Sequence, residues 1–381
     1  MSGLGNIFQR SGAKGAESNY ISDASVFFPF QRNSQRPSTE IRLRRIGEEN
    51  MKLKTLGWTQ HRVSPIGIGL AALGRPGYIN IGHENDLAQN YDVQAMEARA
   101  HRILDTAYER GVRYFDAARS YGRAEEFLGN WLKKREHAPG SIVVGSKWGY
   151  TYTADWAIDA EDHEVKEHSL TVLRRQWLES NSNLGSNLKL YQIHSATLES
   201  GVLENKEVLT ELAGHKSDGT AIGLSVSGSR QSKVIERALK LKVDGVRLFD
   251  SVQATWNLLE SSAGEALANA REMGMGVIVK EALANGRLTD RNRKSAFASK
   301  MEILMHEARR LRTTVDAAAL AAVLARPWVD VVLSGAATVE HLQSNLRAVE
   351  VNWDEEADSR LNALAESAEV YWKTRSGLAW N

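Results

Sequence analysis

The chain has 381 residues, 42% hydrophobic and 25% charged, with a formal net charge of +1. This is the balance of an ordinary globular protein, and so small a net charge offers no field to draw in nucleic acid or an anionic membrane. The absence of cysteine excludes disulfides, thiolate catalysis and thiolate-bound metal and fits a reducing, cytoplasmic setting. No apolar run approaches the roughly 18 residues of a membrane span.

Residues 1–50 differ from the rest. Ser, Gly, Asn, Gln and Arg dominate, with one apolar patch at 26–30 and no sustained period. Glu17, Asp23 and Glu40 argue against a transit peptide, and no signal-peptide core is present. A flexible N-terminal extension is expected. From Lys52 the pattern sharpens. A hairpin with its turn near Gly57 leads into a buried strand at 66–70, a helix at 93–110 and the strand YFDAA at 114–118. An amphipathic helix follows, with Phe127, Leu128, Trp131 and Leu132 on one face. Further strands at 142–147, 188–194, 222–226, 248–254, 277–280 and 329–333 alternate with helices at 170–178, 232–241, 263–273, 301–324 and 339–349. From Asp354 one more helix and an aromatic end are expected.

Eight short strands, nearly all followed by a helix, carry β-branched runs such as Val277-Ile278-Val279. Such runs are buried on both faces, which means a parallel sheet. Eight units favour an α/β fold of the closed (β/α)8 TIM-barrel type over an open doubly wound sheet. The barrel is expected over residues 51–381, with an N-terminal hairpin and a C-terminal helical tail.

Several motifs fail on inspection. Gly67-Ile68-Gly69-Leu70-Ala71-Ala72 satisfies a dinucleotide fingerprint, but Gly74, Pro76 and Gly77 would break the helix that must hold the pyrophosphate. No tyrosine has a lysine four positions later. His163 and His168 lie five apart, which is not one helix face, so a solvated helix start is expected there rather than a metal site. The small residues of SGAAT at 334–338, ahead of a helix, suit either phosphate or a tight turn.

The strand ends carry more. Asp116 closes the second strand, with Tyr121 five residues on. Lys147 closes the third and His194 the fourth. In a (β/α)8 barrel the C-terminal strand ends converge on one mouth, where the chemistry sits. Four different titratable groups there are hard to explain as core, and a buried Lys calls for a partner such as Asp116.

These residues, with Glu125, the IGLSVS and VQATWN strands, the ALANGRLT loop and SGAATVEHLQSNL, resemble the aldo-keto reductase family, in order from Lys52 to about Val349. The resemblance implies an NAD(P)-dependent oxidoreductase that moves a hydride between nicotinamide and a carbonyl or alcohol: an aldo-keto reductase or a sugar or alcohol dehydrogenase. It implies Tyr121 as general acid or base, Lys147 lowering the phenol's pKa, Asp116 holding Lys147, and His194 orienting the substrate oxygen. It further implies that Ser225 and Gln253 hold the carboxamide and that Gly286, Arg287 and Leu288 cross the pyrophosphate. Ser334, Gly335, Ala337, Thr338, Gln343 and Asn345 would serve the adenosine end. Lys280 stands where relatives often stack an aromatic ring, and Val226 where they often have Asn. Ala337 and His341 replace basic residues, so NAD is expected to be tolerated beside NADP. Trp148 and Trp256, with Tyr150 and Tyr152 near, are expected to wall a pocket for a small carbonyl or sugar. The tail with Trp372 and Trp380 either folds over the mouth or packs outside. An alternative reading is a dinucleotide-binding barrel that acts as a redox sensor or partner subunit with little turnover.

Overall fold

The computed structural model describes residues 51–135, 137, 138 and 140–380. The extension expected over residues 1–50 lies outside the described residues. Eight parallel strands close into a barrel: β1 (Ile66–Gly69), β2 (Tyr114–Asp116), β3 (Val143–Trp148), β4 (Leu188–Ala196), β5 (Ala221–Val226), β6 (Ser251–Thr255), β7 (Gly276–Lys280) and β8 (Val331–Ser334). Each pairs with its chain neighbours, and β8 returns to β1 through Val332↔Ile66 and Ser334↔Ile68. Helices α1 (Val93–Glu109), α2 (Ala124–Lys134), α3 (Leu170–Leu184), α4 (Lys206–Ser217), α5 (Gln231–Lys240) and α6 (Gly264–Glu272) follow β1 to β6 in turn. The fold is the (β/α)8 barrel that the strand pattern implies.

Strand side chains alternate between faces, and that alternation sorts the core in two. Tyr114, Val143, Leu190, Ile278 and Val331 form one apolar cluster, joined by Leu56 and Val63 of the N-terminal hairpin. Phe115, Val144, Trp148, Val252 and Val277 belong to a second, with helix residues such as Phe127 and Trp131. The hairpin, Lys54–Thr55 against Arg62–Val63, is tied down where Gly57 donates its N–H to Asp330 at 3.1 Å. Gly57 has φ +53, a left-handed turn that favours glycine.

Three local expectations are corrected. The helix at 301–324 is two, α7 (Ala298–Arg310) and α8 (Val315–Leu324). Arg312 turns left-handed at φ 54, and the Thr314 hydroxyl accepts from the Ala317 N–H to start α8. Residues 163–168 do not begin a helix: Glu164–Lys166 pairs antiparallel with Tyr150–Tyr152. After α9 (Val339–Leu346), the tail holds two helices, α10 (Glu355–Leu361) and α11 (Ala368–Ser376), capped by Asp354 and Ser367. Among the described residues no helix is long and apolar enough to cross a membrane, and no cluster of potential metal ligands exists.

Candidate active site

Asp116 ends β2 and Lys147 sits one residue before the end of β3; Asp116 shares the inner face of the barrel with Tyr114 two positions earlier, and Lys147 meets it there. Both are buried, and they form an ion pair. Lys147 also donates to the Ala117 carbonyl at 2.9 Å and lies 3.5 Å from the Tyr121 hydroxyl. Around Asp116, Oδ1 accepts from Gln253 at 3.0 Å, Tyr114 at 3.1 Å and Gln192 at 3.3 Å. A carboxylate so surrounded, with a lysine on its other oxygen, is fully paired. Tyr121 follows on the loop after β2, where Gly122 turns left-handed at φ +58.

A second buried carboxylate fixes that loop to the sheet. Glu125 accepts from Arg119 at 2.6 Å, Ser146 at 2.6 Å and Ser180 at 2.6 Å. It thereby links the segment before Tyr121 to the residue before Lys147 and to α3. His194 completes the group at the end of β4. Its ring meets Tyr121 edge-on at 5.5 Å, and Nδ1 lies 3.4 Å from the Ser120 hydroxyl.

The electrostatics define protonation states. Burial, then the charges of Lys147, Lys280 and Arg75, hold His194 well below the ordinary histidine range, so the ring is neutral. The Tyr121 phenol is pushed up rather than down, by burial first and by Asp116 second, with Arg75 pulling the other way. The lowered phenol expected from Lys147 is therefore not found in this state of the protein. A neutral phenol at this spot is a proton donor.

Tyr121 and His194 line a cavity of about 460 Å³ at the barrel mouth, with Gly69, Arg75, Tyr78, Tyr150, Glu164, Gln253, Lys280, Glu281, Ser334 and the tail residues Trp372, Arg375 and Trp380. The tail lies over the mouth. Trp380 stacks on His163 at 3.9 Å and under the Arg75 guanidinium at 4.7 Å. Arg375 binds Glu281 at 2.8 Å. Burial alone would raise the Glu281 carboxyl, but Lys280 and Arg375 hold it at about 2.

Trp148 and Trp256 do not wall this cavity. Next to inward Lys147, Trp148 points outward and packs against His168 at 5.5 Å. Trp256 meets Trp328 at 5.7 Å and the Arg326 guanidinium at 5.4 Å. The aromatic lining comes instead from Tyr78, Tyr150, Trp372 and Trp380. Arg75, Glu164, Glu281 and Arg375 carry no local sequence signal for this role; only the folded loops bring them here.

A second cavity of about 460 Å³ adjoins the first, sharing Asn80, Leu283, Gly286 and Gly335. It adds Arg291, Arg309, Asp316, His341, Ser344 and Asn345. The expected cofactor residues divide along this groove. Gln253, Lys280, Gly286, Ser334, Gly335 and Asn345 line it. Others are committed elsewhere. The Ser225 hydroxyl accepts from the Ser195 N–H at 2.8 Å, and the Thr338 hydroxyl caps α9 through the His341 N–H at 3.2 Å. Arg287 turns away to Glu366 at 2.6 Å, and Leu288 is buried among Phe297, Leu304 and Tyr371. Ala337 is buried and Gln343 exposed, and neither lines the groove. At its far end Asp86 clamps Arg291 through both carboxylate oxygens, one at 2.8 Å, and His341 lies 2.8 Å from the same guanidinium.

A sequence model described as the Aldo/keto reductase family matches residues 65–366. The chain belongs to the aldo/keto reductase family. It is 25% identical over 320 residues to YqkF of Bacillus subtilis, an uncharacterized oxidoreductase, covering 78% of this chain and 91% of that one. It is also 26% identical over 294 residues to the putative aryl-alcohol dehydrogenase C750.01 of Schizosaccharomyces pombe, covering 68% and 90%. The holo form of the aldo-keto reductase AKR11C1 from Bacillus halodurans superposes with TM-score 0.65 at 23% identity, covering 84% of this chain and 97% of that one. Membership makes the protein an oxidoreductase of a family that typically uses a nicotinamide cofactor. The groove fits an extended dinucleotide: two joined cavities, glycines where they meet, and, on its walls, buried Asn285 Oδ1 and Asn345 Oδ1 atoms without a hydrogen-bond partner among the described residues.

Proposed function

We propose that the protein reduces the carbonyl of a small aldehyde or ketone, with Tyr121 as the proton donor. The observation that carries this reading is the Tyr121 hydroxyl 3.5 Å from Lys147, itself clamped on Asp116, beside a neutral His194 on a cavity wall. When bound, a reduced nicotinamide supplies the hydride. His194, neutral and immobilised by Tyr121 and Ser120, holds the substrate oxygen by a hydrogen bond. Tyr121 passes its proton to that oxygen as negative charge develops, and the Lys147 ammonium, 3.5 Å away, stabilises the phenolate left behind. Asp116 keeps Lys147 charged in a dry site. Reversal of the same transfers would oxidise an alcohol.

The aromatic lining and the aryl-alcohol dehydrogenase name of one relative both support aromatic aldehydes as substrates. For the cofactor, Gln253, Gly286, Ser334, Gly335 and Asn345 are the residues that would hold it. Ala337 offers no charge, and Arg291 is already neutralised by Asp86, so NAD is accepted as well as NADP. The test is reduction of an aldehyde and aldose panel with each reduced cofactor, followed by loss of nicotinamide absorbance. Turnover of at least one compound is expected. Activity of Tyr121→Phe equal to wild type on every compound defeats the reading.

A further inference from the structure

The charges around the mouth cavity do not balance. Three carboxylates face it, and each has a cation of its own: Asp116 with Lys147, Glu164 with Arg75 at 2.9 Å, and Glu281 with Arg375 at 2.8 Å. Lys280 is the fourth cation. It donates to the Thr255 hydroxyl at 2.8 Å and reaches Glu281, already bound to Arg375, only at 3.9 Å. His194 is neutral and cancels nothing. One positive charge therefore stands in a cavity in which, among the described residues, the lining holds no further carboxylate.

Arg75 supplies an independent sign. It is 3% exposed, and its Nε is buried with no acceptor among the described residues, although Nη1 is bound to both Glu164 and the Ser120 carbonyl. A buried donor on a charged group left without an acceptor is costly. Lys280 and Arg75 line the same cavity as His194 and Tyr121, so both face the space in which the carbonyl is held. A single ligand feature answers both: an anionic, oxygen-bearing group.

We infer that the natural substrate carries a carboxylate besides its carbonyl, and that Lys280 and Arg75 receive it. This rests on the function proposed above only for the presence of the carbonyl. The carboxylate is not chemically altered. It supplies the missing charge, and the acid group, through the geometry of the lining, sets which carbonyl compounds are held productively.

The experiment compares 4-carboxybenzaldehyde with 4-methylbenzaldehyde as substrates of the holoenzyme in wild type, Lys280→Gln and Lys280→Arg. Non-reactive benzoate is assayed in parallel by thermal shift on the same three proteins. Wild type is expected to favour the carboxylated aldehyde in kcat/KM by at least about tenfold, the worth of one charge-assisted contact. The ratio falls towards unity in Lys280→Gln and is kept in Lys280→Arg, and benzoate raises the Tm of wild type but not of Lys280→Gln. A wild-type ratio near unity overturns the proposal, as does a ratio unaltered in Lys280→Gln. Unaltered selectivity with weakened binding of the reduced cofactor in Lys280→Gln also overturns it, assigning the lysine to the cofactor's phosphates. If no aldehyde is reduced while benzoate still stabilises in a Lys280-dependent way, the carboxylate site stands and the reductase reading falls.

Discussion

The two halves of the groove are built in different ways. At the mouth, Asp116, Lys147 and His194 stand on β2, β3 and β4; strand register holds the first two, Asp116 pairing with Gly145 and Lys147 with Gln192, while His194 sits in a register shift of β4. At the far end, Asp86, Arg291, His341 and Asp316 come from loops and helix starts far apart in sequence, joined by side-chain contacts. The difference teaches that the sheet positions Asp116 and Lys147, while loops carry Tyr121 and the far-end contacts. Changes at the mouth should therefore cost stability and chemistry together, and changes at the far end should alter binding alone.

The sharpest break of this contrast is Asp116→Asn. It leaves Lys147 charged and buried without its partner, for which about 3–5 kcal/mol of stability loss is expected, read as a lower denaturant midpoint. A far-end pair of the same kind, cut by Asp86→Asn, should cost much less, because the guanidinium left behind is partly exposed and can hydrate. Equal losses would erase the distinction between strand-held and loop-held ends.

His83 lies near the far end and offers a pH test. It is buried, neither ring nitrogen has a hydrogen-bond partner among the described residues, and burial holds it at about 4 despite Asp86. The unfolded chain takes up a proton near pH 6.5 that the folded protein refuses until about pH 4. Stability from this group is thus complete above pH 6.5 and is lost as pH falls towards 4. His83→Leu should flatten that acid limb by roughly 3 kcal/mol, measured as Tm against pH. An unchanged limb would place the acid sensitivity in other groups.

Cofactor choice is a smaller effect. Asp86→Asn frees Arg291 for an added phosphate, so affinity for NADPH relative to NADH should rise about tenfold, or ~1.4 kcal/mol. Quenching of tryptophan fluorescence measures both affinities. A fall in the ratio would show that Asp86 assists the phosphate rather than competing with it. Smallest is Trp380→Ala, which removes a ring stacked against Arg75 and His163. A rise of about two- to fivefold in KM for aldehyde, with kcat nearly kept, is expected from the loss of a cation–π contact.

How legible each part was follows from the same contrast. The barrel could be read because most strands hold a short apolar run and most helices show one apolar face; α8, buried from Ala317 to Val323, is an exception. Asp116, Tyr121, Lys147 and His194 could be read because polar residues at apolar strand ends stand out. Trp148 was misplaced because adjacent strand residues face opposite ways, and inward Lys147 forces the tryptophan out. Arg287, Leu288 and Thr338 were assigned by resemblance to a cofactor that their side chains do not face. Arg75, Glu164 and Arg375 were invisible because each acts through a contact dozens of residues or more away, as in Arg75 with Glu164 and Arg375 with Glu281.

The central claim is that this cluster directs a hydride from the nicotinamide and a proton from Tyr121 to one carbonyl. A single turnover with reduced nicotinamide carrying deuterium at C4 and a deficient amount of aromatic aldehyde tests it most directly. Deuterium at the carbinol carbon of the alcohol is expected for wild type, with a rate lower by about 10²–10⁴ in Tyr121→Phe. Deuterium absent from the alcohol, or transferred as fast by Tyr121→Phe as by wild type, would contradict it.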